Sequence, residues 1–201
     1  MNILNCSIII MVIIMKVKAA ISARHIHLTQ EDYNYLFPNT KLEKDFDLHQ
    51  YGQYASKSYV TIANNDRKIA KVRVLGPLRS YTQCEISKTD AFFLKLDPPV
   101  RDSGDLEGAD TIEIYNGERK LIRKCAIIAN RHIHIDPKTR QELNLVGIEK
   151  VKLKVPGEKG GILDNVHIKE RDDFFYEVHL DCDDANSHFI NNDDELEIII
   201  D

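Results

Sequence analysis

The sequence predicts a mainly β protein of the α+β class: two β-barrel domains with small helices, related as an internal duplication, with a site between them. Three observations predict it. The string Arg24-His25-Ile26-His27 recurs as Arg131-His132-Ile133-His134. A later stretch repeats in outline, CEISKTDA at 84–91 against VHLDCDDA at 178–185; laying Asp90-Ala91 on Asp184-Ala185 puts Glu85 opposite His179. The remainder consists largely of short apolar or alternating runs broken by Gly, Pro, Asn and Asp, the pattern of short strands joined by turns. The 201 residues allow one large or two small domains, and 43% hydrophobic with 29% charged residues is ordinary for a soluble globular chain. A net charge of −5 without a basic stripe argues against a nucleic-acid partner.

Residues 8–15 are eight consecutive apolar residues, too few to cross a bilayer, so no membrane partner is expected. No Lys or Arg precedes Lys16, which removes the basic region a signal peptide needs. Met11 and Met15 are alternative starts; residues 1–15 read as an apolar leader, and function is expected downstream of Met15. The β-branched, apolar stretch 16–22 predicts a strand running into the first histidine pair. Thr29 followed by Glu31 and Asp32 predicts a helix N-cap and a short helix to about Leu36, stopped at Phe37-Pro38-Asn39. Residues 59–75 predict a hairpin turning at Asn64-Asn65-Asp66, and Gly76-Pro77 a turn after it. Residues 84–87 predict a short strand, and Thr89-Asp90-Ala91 the opening of a short helix. Residues 110–128 predict a second hairpin at Asn116-Gly117, and Asp136-Pro137-Lys138 a third helix. Strands are expected over 147–155, 162–169, 174–181 and 196–201, with a last short helix opening at 183–186.

The chemistry is concentrated in the repeated strings. Side chains at i and i+2 of a strand share a face, so His-x-His at a strand end sets two imidazoles side by side, and neutral imidazole is a common ligand of zinc and similar ions. Two sets of three donors follow: His25, His27 and Glu85, and His132, His134 and His179. Three protein ligands with an open position is the pattern of a catalytic zinc. Arg79 lies six positions before Glu85 and suits a phosphate, because its planar fork pairs with phosphate oxygens. The turn-rich 99–105, PVRDSGD, is placed to bring backbone amides and Ser103 to an anion. His49 reads as a surface histidine, and His167 and His188 as bystanders without matched partners. The four cysteines show no C-x-x-C and read as reduced thiols of a cytoplasmic protein, with Cys182 close to His179.

In this order, SARHIHL, VRVLGP-x-R, Q-x-EIS-x-TDA, PVRDSGD, RHIH and H-x-D-x-D-x-AN resemble the phosphate propanoyltransferase family, the PduL-type phosphotransacylases. The resemblance spans roughly 16–201. It implies two β-barrels capped by short helices, with the first strand exchanged: 24–130 as the central barrel, and 16–23 with 131–201 as the second. It implies two zinc ions per chain on the six donors, Arg79 holding phosphate as a catalytic residue, Ser103 lining the same pocket, and Ser22, Arg73, Leu75 and Asn186 near coenzyme A. A homodimer is the expected assembly. Many members carry an amphipathic helix that targets a bacterial microcompartment, with its shell and enzymes as partners; the all-apolar leader here departs from that pattern.

The implied reaction is acyl-CoA plus phosphate to acyl phosphate plus CoA, reversibly, with propanoyl-CoA or acetyl-CoA as substrate. No Ser-His or Cys-His nucleophile is evident, so direct transfer is expected, with the second zinc holding the CoA sulfur and the first, with Arg79, the phosphate. Two alternatives stay open: a dinuclear zinc hydrolase of thioesters or phosphoesters, and a non-catalytic module stapled by metal.

Overall fold

The computed structural model describes residues 15–200; all of the apolar leader except Met15 lies outside the described residues. In chain order the elements are β1 (Lys16–Ser22), β2 (His25–His27), α1 (Gln30–Leu36), β3 (Lys44–Asp47), β4 (Tyr54–Asn64), β5 (Arg67–Gly76), β6 (Gln83–Glu85), α2 (Lys88–Leu94), β7 (Val100–Arg101) and β8 (Asp110–Asn116). They continue as β9 (Arg119–Ala129), β10 (His132–Ile135), α3 (Pro137–Glu142), β11 (Lys150–Val155), β12 (Gly161–Glu170), β13 (Glu177–Asp181), α4 (Cys182–His188) and β14 (Glu195–Ile199).

The strands close into two six-stranded barrels. One ring runs β4-β5-β2-β6-β9-β8, with β8 closing it by pairing with both β9 and β4. The other runs β1-β13-β10-β12-β11-β14. The chain changes barrels at each histidine string. Strand β1 lies in the second barrel, parallel to β13 and antiparallel to β14, and the next strand, β2, lies in the first. Strand β9 lies in the first barrel, parallel to β6 and antiparallel to β8, and the next strand, β10, lies in the second. The duplication therefore extends to the pairing: β2 is parallel to β5 and antiparallel to β6, as β10 is parallel to β12 and antiparallel to β13.

Each barrel has its own apolar core. The pleat puts the middle isoleucine of each His-Ile-His inward: Ile26 and Ile133 are both fully buried, in different cores. The imidazoles are thereby turned to the opposite face. The helices are short and locally specified. Thr29 accepts from the Asp32 amide and Asp136 from the Thr139 amide, with Pro137 in the first turn of α3. Ser87 and Asp90 form a capping box on α2, and Asp181 caps α4 by accepting from the Asp184 amide.

The caps correct two expected boundaries. Helices α2 and α4 start one residue before the predicted openings, at Lys88 and Cys182, because the capping oxygens belong to Ser87 and Asp181. For the same reason the strand expected over 84–87 spans only Gln83–Glu85. Strand β11 begins at Lys150 rather than 147, because Gly147 takes a left-handed φ of +81° and turns the chain. Strand β3 was not expected: all four of its residues are exposed, so no apolar alternation announces it.

Ile133 has no exposed surface and no polar duty. We expect Ile133→Ala to cost about 2–5 kcal/mol through the cavity it leaves. The check is urea unfolding of the metal-free protein; a loss well under 1 kcal/mol would show that the histidine strand is not held by the core behind it.

Candidate active site between the barrels

The duplicated topology sets the candidate donors across from each other. In the antiparallel β2–β6 pair, His25 is registered with Glu85; in the β10–β13 pair, His132 is registered with His179. His25 Nε2 lies 3.5 Å from Glu85 Oε2, and donor atoms of His25, His27 and Glu85 all fall within 4.8 Å of one another. In the second trio the ring centroids are 4.7 Å apart for His132–His134, 5.1 Å for His132–His179 and 4.4 Å for His134–His179. One cleft meets members of both trios: its lining includes His25 and Glu85 from the first barrel and Ser22, His132, His179 and Cys182 from the second.

Local contacts aim the imidazoles in the same way in each half. His25 Nδ1 lies 2.9 Å from the Ala23 carbonyl and His132 Nδ1 2.7 Å from the Asn130 carbonyl. A carbonyl only accepts, so Nδ1 carries the proton and the Nε2 lone pair is free. The second histidine of each string is buried with Nδ1 lacking any hydrogen-bond partner, in His27 and in His134 alike. Burial is the main cause of depressed basicity here. It holds His27 well below the usual imidazole range, His132 at about 3 and His134 at about 2, with Phe174 stacked on the His134 ring. Neutral imidazoles with free lone pairs, joined by a carboxylate, suit zinc or a similar divalent ion.

The arginine that begins each string is an anchor. Arg24 Nε donates to Asp90 Oδ2 at 2.7 Å, and Arg131 donates to both oxygens of Asp184 at 2.9 and 2.7 Å. These aspartates sit in the first turns of α2 and α4. Each histidine strand is thus tied to the helix that follows its third donor.

On the first-barrel side, Arg79 donates to Ser103 Oγ at 3.1 Å and Tyr81 Oη at 3.3 Å, with Gln53 Oε1 at 3.5 Å. Among the described residues no carboxylate forms an ion pair with it, and its charge is one of the influences lowering the His27 pKa. The buried amide of Gln83 joins this arginine's neighbours to the donors: Nε2 donates to Glu85 Oε1 at 2.6 Å and to Ser103 Oγ at 2.9 Å, and Oε1 accepts from the Gly104 amide at 2.7 Å.

Residues 18–191 match the family described as phosphate propanoyltransferase. The chain belongs to the phosphate propanoyltransferase family. Similar relatives of that name come from Thermotoga maritima, 45% identical over 182 residues (89% of this chain, 87% of the relative), and Clostridioides difficile, 44% identical over 169 residues (83% and 80%). A third, from Rhodopseudomonas palustris, is 36% identical over 185 residues (91% and 82%). As a member of the phosphate propanoyltransferase family, the chain is an enzyme of the acyltransferase class. Among its described residues no helix is long and apolar enough to cross a membrane.

In this family member the structure sets Ser22 in the cleft with members of both trios and Arg79 and Ser103 beside the first, while Arg73, Leu75 and Asn186 do not line that cleft. Arg73 is registered with His25, but its guanidinium donates to Asp45 Oδ2 and the Ser56 carbonyl, both at 2.8 Å, and lies over the Tyr59 ring. Leu75 follows it on β5, and Asn186 is exposed on α4. His49 is exposed, as a surface histidine should be, but it and His167 both meet carboxylates. His49 Nδ1 meets Glu177 Oε2 at 3.1 Å, and His167 Nδ1 lies 3.5 Å from Asp102, which also holds Lys169 at 3.0 Å. Sequence reasoning missed Gln83 and Glu177. The signal was available: each stands two residues before a third donor, hence on the same strand face.

The depressed histidines set a pH dependence. Their folded pKa values lie below the unfolded value of about 6.5, so between those values the unfolded chain binds more protons. That stability is complete above about pH 6.5 and is lost as pH falls toward 3. We expect the urea midpoint of the metal-free protein to drop between pH 7 and pH 5, with a flatter profile when His132 and His134 are both replaced by Gln. Identical slopes would show that these imidazoles do not titrate below their usual range.

Proposed function

We propose that this chain is a phosphate acyltransferase. It converts a short-chain acyl-CoA, propanoyl-CoA or acetyl-CoA, and phosphate to acyl phosphate and CoA, reversibly, with two zinc ions per chain. The observation that carries the reading is the close donor group His25, His27 and Glu85 on a cleft that also reaches His132 and His179, with Arg79 beside that group and, among the described residues, no carboxylate paired to it. His25, His27 and Glu85 would hold one ion and His132, His134 and His179 the other; bound there, zinc supplies positive charge against phosphate and a soft partner for a thiolate.

The chain's own residues do the rest. Arg79, already oriented by Ser103, presents its fork to two phosphate oxygens. Gln83 keeps Glu85, Ser103 and the Gly104 amide in one arrangement, so the anion meets donors that need no reorganisation. A phosphate oxygen attacks the thioester carbonyl carbon, the carbon–sulfur bond breaks, and CoA leaves as the thiolate. Cys182 lines the cleft, but burial pushes its thiol up despite the opposing charge of Arg24, which makes it a poor nucleophile at neutral pH. Cys84 and Cys125 are buried in the first barrel with thiols pushed up by burial. Direct transfer between two bound substrates therefore fits better than an acyl-cysteine, and holding both in one cleft makes the step effectively unimolecular. The homodimer and the microcompartment placement belong to the same proposal and rest on the family resemblance alone.

The discriminating assay is thioester cleavage with and without phosphate. We expect cleavage to require phosphate and to yield acyl phosphate in equal amount; phosphate-independent release of free acid would make the protein a hydrolase. Arg79→Lys keeps the charge and loses the fork, so phosphate use should weaken on the order of 10-fold or more with metal retained. Wild type should hold two zinc ions per chain and His132→Ala one, as read by metal analysis. Full activity after exhaustive chelation would remove zinc from the proposal.

A further inference from the structure

Three consecutive residues of the turn after β7 are held from different directions. Asp102 reaches the second barrel: Oδ1 lies 3.0 Å from Lys169 Nζ and accepts from Asn130 Nδ2 at 3.2 Å, and Oδ2 lies 3.5 Å from His167 Nδ1. Ser103 Oγ accepts from Arg79 at 3.1 Å and from Gln83 at 2.9 Å. The Gly104 amide donates to Gln83 Oε1 at 2.7 Å, with a φ of +98° that suits glycine. Strand β7 ends at Arg101, so from Asp102 onward the turn's hold on its surroundings passes to side chains.

Arg79 depends on that turn. Its contacts with Tyr81 Oη at 3.3 Å and Gln53 Oε1 at 3.5 Å are longer than its bond to Ser103. A hydroxyl on a turn orients an arginine only as well as the turn is itself fixed. On the other side, Lys169 is placed by strand register. Strand β12 is parallel to β10, with His167 beside His132 and Lys169 beside His134. The period of two puts 167 and 169 on the face that carries those histidines. The side chains of Lys169 and Asp102 are 23% and 45% exposed. Both keep contact with solvent, so the pair matters more for where it holds the turn than for stability.

We propose that Asp102 and Lys169 are positioning residues for phosphate: their ion pair ties the turn to the second barrel and so fixes the Ser103 hydroxyl against which Arg79 is oriented. The inference rests on the acyltransferase reading, with Arg79 as the phosphate holder. The two residues act through Ser103 and Arg79 rather than by touching substrate, so their loss falls on phosphate and spares acyl-CoA.

The test is steady-state kinetics of thioester cleavage by the full-length protein, with phosphate and acyl-CoA varied in turn. D102N and K169M approach the pair from opposite barrels. Each should raise the KM for phosphate on the order of 10-fold and leave the KM for acyl-CoA within about 2-fold. K169R keeps the charge and should restore most of the phosphate KM. In an R79K background D102N should add little, because the fork it positions is already lost. Both single variants should melt close to wild type, which separates lost positioning from lost folding. If wild type requires phosphate but D102N and K169M leave its KM unchanged, the pair is a surface contact and the acyltransferase reading stands without it. If both KM values rise together and melting comes earlier, the pair holds the barrels rather than the phosphate site. If K169M acts on the KM for acyl-CoA alone, Lys169 works through His132 and His134, whose basicity its charge lowers, and the proposal is overturned. Wild type that cleaves equally well without phosphate overturns the acyltransferase reading and this inference with it.

Discussion

The chain changes barrels at its histidines, and the site depends on that crossing. Ser22 ends a strand of the second barrel, and three residues later His25 begins one of the first; Ala129 and His132 repeat the move in reverse. A crossing segment has few ladder hydrogen bonds to hold it, so something else must set its register. The Arg24–Asp90 and Arg131–Asp184 pairs supply that hold, tying each crossing to the helix behind its third donor. Asp90 is buried and Arg24 half-exposed, a geometry in which the pair does more than an exposed ion pair would. Two crossings side by side necessarily leave the donors of both barrels facing one cleft.

The electrostatics of the cleft follow from burial more than from charge count. Three of the histidines are pushed far below their ordinary pKa mainly by desolvation, which keeps them neutral and able to donate lone pairs. Nearby positive charge adds to this: Arg79 acts on His27, and Lys169 on His132 and His134, while Asp102 opposes it at His132. Glu177 shows the opposite balance. Burial alone would raise its carboxyl, but the contacts with His179 and His49 outweigh that and hold it below the usual range. His27, His132 and His134 stay unprotonated beside the charges of Arg79 and Lys169.

Cross-barrel contacts give the cleft its fixed shape. Asp102, next to Ser103 in the turn-rich segment, reaches Lys169 and His167 of the second barrel and accepts from Asn130. From the β3–β4 connection, His49 reaches Glu177, Gln50 approaches His179 at 3.4 Å, and Gln53 approaches Arg79 at 3.5 Å. One short connection therefore touches both halves of the site. A change at 49–53 is expected to be felt at either donor trio, although none of these residues belongs to the duplicated strings.

The sequence by itself determined the duplication, the β class and the pairing of donors. A four-letter identity and the Asp-Ala alignment put Glu85 opposite His179, and the strand registers set them in equivalent places, because a period of two gives the same face in any strand. The caps on α1 and α3 were equally legible, since Thr29 and Asp136 act on amides three residues away. The contacts of Glu177, Gln83, His49 and Asp102 were decided only by the tertiary structure. Gln83 reaches Ser103, 20 positions on, and His49 reaches Glu177, 128 positions on. A period in the sequence tells which face a side chain takes; which group from the other barrel meets it there depends on how the two rings pack.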